Sequence, residues 1–165
     1  MNQLLLFVFV GLVSLIVQCC VLGEIFPFEY KPDLSLLVVI WLGINSDYFS
    51  GLFSVFILGI VVDMLSGAPA GLFSVLYLLA FIFSAYVGQN FDVERLGSGW
   101  SVTILTCFLV FCLCFLARWL SGQIVFEALI VKIIIFKTIL TTLGLIVVKP
   151  LLDGIWKGYC KVIGA

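Results

Sequence analysis

Histidine is absent from this chain of 165 residues, and charge is scarce: eight basic and nine acidic side chains make up 10% of the sequence. Soluble domains carry about 25% charged residues. So few charges cannot cover a water-soluble surface, which excludes a soluble enzyme, a coiled coil and a disordered tail. Without histidine there is no imidazole for catalysis or metal ligation. A net charge of −1 leaves no basic footprint for a phosphate backbone, so a nucleic-acid binder is excluded as well. The six cysteines (Cys19, Cys20, Cys107, Cys112, Cys114 and Cys160) contain no C-x-x-C pair. In apolar helices they read as small hydrophobes rather than as metal ligands or disulfides.

What the chain has is apolar length. Residues of the hydrophobic classes make up 64% of it, and charge-free runs cover 1–23, 34–46, 48–62, 64–91, 96–117 and 138–148. An α-helix needs about 20 apolar residues to cross roughly 30 Å of hydrocarbon. The runs predict an all-α integral membrane protein, a single domain over 1–165, with helices near 3–23, 33–46, 50–66, 70–90, 99–119 and 133–155. A β-barrel would alternate on a period of two, and Leu76-Tyr77-Leu78-Leu79-Ala80-Phe81-Ile82-Phe83 does not. The interval 34–65 divides at Asn45-Ser46-Asp47 and Ser50-Gly51, residues that favour a turn. The last helix carries Pro150 within its final turns, where neighbouring groups absorb the lost backbone bond. Five spans are the alternative to six.

Six spans place both termini on one side. The short-loop basic residues put Arg95, Lys157 and Lys161 on the side of the N-terminus and Lys31, Arg118 and Lys132 on the other. That bias predicts cytoplasmic termini. The first 23 residues lack a basic n-region and a small-residue cleavage site, so the first helix is expected to be retained.

Chemistry then rests on the intramembrane polar residues. An acidic group within a span costs about 2.5–3.5 kcal/mol on insertion scales, so Asp63 needs protein, water or a partner. Gly59 and Gly67 share its helical face, where two backbones can come close on either side of one carboxylate. The plainer reading leaves Asp63 at a helix end in the headgroup region. Small or polar stripes recur on other helices: Gln3, Gly11, Ser14 and Gln18; Ala80, Ser84 and Gly88; Lys137, Thr141 and Gly144. In an up-down bundle Asp63 and Lys137 lie at similar depth, so an intramembrane ion pair between them is expected, with a basic group of a partner protein as the competing mate. The stripes serve internal packing or a homodimer equally well.

One pattern carries a family resemblance. Lys31-Pro32-Asp33-Leu34 opens a short apolar helix, and Gly59-Ile60-Val61-Val62-Asp63-Met64-Leu65-Ser66-Gly67-Ala68-Pro69-Ala70-Gly71 follows after a turn. This G-x-x-x-D-x-x-S-G-x-x-x-G segment, with its Pro-Asp-Leu start upstream, resembles the MreD family of rod-shape-determining membrane proteins across about 26–90. The resemblance implies a six-helix bundle similar to the S-components of energy-coupling-factor vitamin transporters, and no enzymatic activity or cofactor. It implies the bacterial inner membrane, a single-span partner, MreC, and the cell-wall elongation machinery of MreB, RodA and a penicillin-binding transpeptidase. The pattern falls on Pro32, Asp33, Gly59, Asp63, Ser66, Gly67 and Gly71, as partner-binding or helix-packing positions.

Two other classes compete. An intramembrane aspartyl protease needs two carboxylates in contact. Asp47 and Asp63 are the candidates for that pair, and the expected topology sets them at opposite faces. A substrate-binding subunit of a small-molecule transporter needs a roomy cavity with converging polar groups.

Overall fold

The computed structural model describes residues 3–20, 24, 31–66, 71–90, 99–120 and 128–163. Among these every regular element is α-helical: α1 (Gln3–Cys20), α2 (Leu34–Asn45), α3 (Tyr48–Ser66), α4 (Leu72–Asn90), α5 (Gly99–Leu120) and α6 (Ala128–Ile163). Five are long and apolar enough to cross a membrane, and α2 is the short exception.

That exception organises the bundle. At 1.5 Å per residue, α2 is only about 18 Å long, well short of roughly 30 Å of hydrocarbon. Every residue from Ser35 to Gly43 is buried, and Leu36, Leu37 and Val39 are fully enclosed. A helix apolar all round has no face for water and is stable only when surrounded. The five long helices supply the surround. In the order α1, α3, α4, α5, α6 each packs on the next, and α2 fills the middle, most extensively against α4 and also against α1 and α6. Between α6 and α1 the arc closes through Phe7 and Trp156, whose rings stack with centroids 5.5 Å apart. The expectation of two similar short spans over 34–65 is therefore corrected. One is a full-length outer helix and the other a buried central one.

The outer faces carry what the sequence has most of. On α3, Phe49, Phe53 and Phe56 are exposed, while Ser54, Val55, Leu58, Gly59 and Val62 are buried. On this helix the small residues Gly51, Ser54 and Gly59 fall on the buried side and the three phenylalanines on the outer one, the arrangement expected of a helix whose outer face meets an apolar solvent.

The sixth helix is longer than its charge pattern predicts. It runs for 36 residues, or about 54 Å, from Ala128 to Ile163 rather than over 133–155. Lys132, Lys149 and Pro150 are all exposed, so neither charge nor proline has to be accommodated in the core. Pro150 costs one backbone bond on the outer face and the helix continues.

Helix directions alternate. The C-terminal halves of α1, α3 and α5 meet the N-terminal halves of α2, α4 and α6 around one cavity. At the opposite end Phe7 near the start of α1 stacks on Trp156 near the end of α6. The first and last described helices thus begin and finish at the same end of the bundle.

Candidate functional site

The Pro-Asp-Leu segment sets up the first polar cluster. Pro32 lies just outside α2 rather than in its first turn, because Asp33 is the N-cap and the helix starts at Leu34. The Asp33 carboxylate accepts from Leu36 N–H at 3.1 Å and from Ser35 Oγ at 2.6 Å. The Tyr77 hydroxyl of α4 also reaches it, at 3.1 Å to Oδ1 and 3.0 Å to Oδ2. Ser35 Oγ and the Tyr77 hydroxyl are themselves 2.6 Å apart. The two shortest contacts therefore run Tyr77–Ser35–Asp33, a chain that uses both hydroxyl protons.

Backbone donors at this helix start are satisfied from two further helices. Asp33 N–H donates to Thr141 Oγ1 of α6 at 3.2 Å, and Ser35 N–H donates to Gln18 Oε1 of α1 at 3.2 Å. A helix leaves its first N–H groups without intrahelical partners. In a buried apolar site each unmet donor costs about 1–3 kcal/mol or more. Three helices, α1, α4 and α6, thus converge on the N-terminus of α2, and the acidic side chain also matches the positive end of its dipole.

The G-x-x-x-D segment solves the same problem for α4. Its N-cap position holds Gly71, with φ at +90° and no side chain to cap with. Asp63, from the preceding helix, takes over. Its Oδ1 accepts from Phe73 N–H at 2.8 Å, and its Oδ2 accepts from Ser74 N–H at 3.1 Å and from Ser74 Oγ at 2.6 Å. Gly59 makes this approach possible, since a Cβ there would sit 2.5 Å from Ser74 Cα. Ser66 Oγ donates to the Asp63 carbonyl at 3.4 Å. Gly67 lies outside the described residues.

The expected Asp63–Lys137 ion pair is accordingly corrected. Two backbone N–H groups and a hydroxyl at a helix N-terminus meet the carboxylate, and they supply the partial positive charge that a lysine would have given. Lys137 instead holds its Nζ 5.2 Å from the centroid of the Phe111 ring, a cation–π contact.

Beside the Asp33 cluster lies a cavity of about 180 Å³. Lys31, Asp33 and Tyr77 line it together with Gln18, Phe111 and Lys137. A second cavity, of about 380 Å³, opens at the other end of the bundle between α2, α5 and α6. There Trp41 Nε1 donates to Asp153 Oδ1 at 2.8 Å, and Trp156 packs edge-on to Trp41 and stacks on Tyr159.

Sequence reading reached the motif residues but not their partners. Gln18, Thr141 and Ser84 belong to the polar stripes, and all three turn inward. Gly144 faces Leu34 and Leu37, and Gly88 faces Ile44, so both stripes abut α2. Tyr77 was hidden within an apolar run, with nothing in its neighbours to mark it. Among the described residues no three histidine, cysteine or acidic side chains are grouped to hold a metal. Asp47 immediately precedes α3 and Asp63 lies in its last turn, sixteen residues apart, or about 24 Å along the axis, too far for a shared proton. Comparison of the chain with protein-family models, with curated proteins and with solved structures finds no match.

Proposed function

We propose that this chain is a non-enzymatic scaffold of the bacterial inner membrane, of the MreD type, with both termini cytoplasmic. In this reading it binds an MreC-type single-span partner and supports peptidoglycan synthesis and cell shape alongside MreB, RodA and a penicillin-binding transpeptidase. The observation that carries the proposal is the use made of the two motif carboxylates. Asp33 and Asp63 each cap the N-terminus of a helix, α2 and α4, and tie neighbouring helices together. A filled core around α2 supports the same reading, as does the agreement of the alternating helix directions with termini on a single side.

The second reading, a substrate-binding membrane subunit of a vitamin-type transporter with an S-component-like fold, is favoured by the cavity of about 380 Å³ at the other end of the bundle, which falls within the size range of small-molecule sites. Affinity purification of the tagged full chain from its native membrane separates the two. Recovery of an MreC-type protein is the expected result. Recovery of an ATPase pair in its place would overturn the scaffold in favour of transport.

A further inference from the structure

We propose that the cavity beside Asp33 is a binding site for a small anionic head group, a phosphate or a carboxylate. Among the described residues the lining of the site is richer in donors than in acceptors. Its charged lining, among the described residues, is Lys31, Lys137 and Asp33, which leaves one surplus positive charge. Asp33 is already counted in that balance; the residue is 6% exposed and its carboxylate accepts from Ser35 Oγ and Leu36 N–H, so it is turned to the protein rather than to a ligand. The Phe111 face under Lys137 offers attraction but not a counter-charge. Gln18 has its carbonyl oxygen committed to Ser35 N–H, so the group it has left for a ligand is its amide NH₂, a further donor.

Charge in a low-dielectric setting is costly unless it is paired, and a cavity with a surplus ammonium group and room beside it favours an anion. Size limits what fits. A cavity of about 180 Å³ falls below the roughly 300–1,000 Å³ of sites that enclose drug-sized ligands. It holds a head group and a few carbons. The remaining walls include Leu15, Val62 and Val110, which suit the first carbons of an attached tail. The site needs no particular protein partner, so its test is independent of whether the bundle holds MreC.

The test follows the unfolding midpoint of the full chain in neutral maltoside micelles. The probes are dihexanoyl phosphatidate, decanoate, inorganic phosphate and, as a zwitterionic control, dihexanoyl phosphatidylcholine. The expected result is a dose-dependent rise with an anionic probe and none with phosphatidylcholine. Lys137→Met should weaken the apparent affinity at least about tenfold, the equivalent of about 1.4 kcal/mol. Lys132→Met should leave it unchanged, since Lys132 is exposed on the same helix and does not line the cavity. A rise confined to phosphatidate and decanoate assigns the site to a lipid-borne head group, and a lysine-dependent rise with inorganic phosphate assigns it to the free anion. An equal response to phosphatidylcholine, no anion response in the unmodified chain, or wild-type affinity in a folded Lys137→Met variant would each overturn the proposal. Should Lys137→Met fail to fold, Lys137→Arg must keep the response and Lys31→Met must weaken it; failure of either is equally fatal.

Discussion

Asp63 and Ser74 lock the α3–α4 hairpin: one carboxylate oxygen of Asp63 accepts both the backbone N–H of Ser74 at 3.1 Å and its hydroxyl at 2.6 Å. The helices also come close here, because Gly59, one turn before Asp63, lies against Ser74 Cα. A helix N-terminus whose own cap position is glycine is thus completed by a side chain from the helix before it.

Removing that acceptor should be costly. Asp63→Ala leaves two N–H groups and a hydroxyl without their partner, and hydrogen bonds to charged groups contribute about 1.5–3 kcal/mol each. Asp63→Asn keeps one acceptor oxygen and should cost less. The unfolding midpoint in detergent gives the order, and equal losses for the two variants would count against capping.

The corrected partner of Asp63 has its own signature. Asp63→Asn and Lys137→Gln act on different contacts, so their destabilisations should add within about 0.5 kcal/mol. A double variant no worse than either single one would restore the ion pair that the sequence suggested.

Close packing gives a graded series in glycine. Gly59→Ala should destabilise the bundle by about 1–3 kcal/mol through overpacking, and Gly59→Leu by more. Gly154→Ala and Gly158→Ala, with open space around the added methyl, serve as controls and should be near neutral. Thermal unfolding of all four in one micelle system checks the contrast.

At the start of α2, Asp33→Ala should cost more than Tyr77→Phe. The first removes the acceptor of the Ser35 hydroxyl, which ends the Tyr77–Ser35–Asp33 chain, and of the Leu36 N–H; the second removes the donor to Ser35 and leaves Asp33 with Ser35 and Leu36. Loss of the tyrosine hydroxyl alone should cost about 0.5–1.5 kcal/mol. Stability measurements on the two variants and their combination give the ranking.

Topology is checked by reporters. The alternating helix directions place the start of α1 and the end of α6 together, so fusions at the two termini should report the same compartment. Opposite signals would contradict the bundle described.

Composition alone determined that this chain is helical and apolar enough to cross a membrane, because 10% charge cannot cover a water-facing surface and unbroken apolar runs of this length satisfy their backbone groups within helices. Periodicity also placed Gly59 on the face of Asp63, and Thr141 and Gly144 on that of Lys137, since residues four apart share a side of a helix whatever surrounds it. Which of the apolar helices is central was not legible. Leu34–Asn45 is more apolar than its neighbour Tyr48–Ser66 but shorter, and only the packing of five other helices around it makes it the core. The partners of the charged groups were hidden for a related reason. A carboxylate in a membrane needs positive potential, but a lysine and a helix N-terminus both supply it. The N-terminus of α4 is a property of the folded backbone and is not written in any side chain. Tyr77, 44 residues from Asp33 in the chain, joins it only because α4 crosses α2 there.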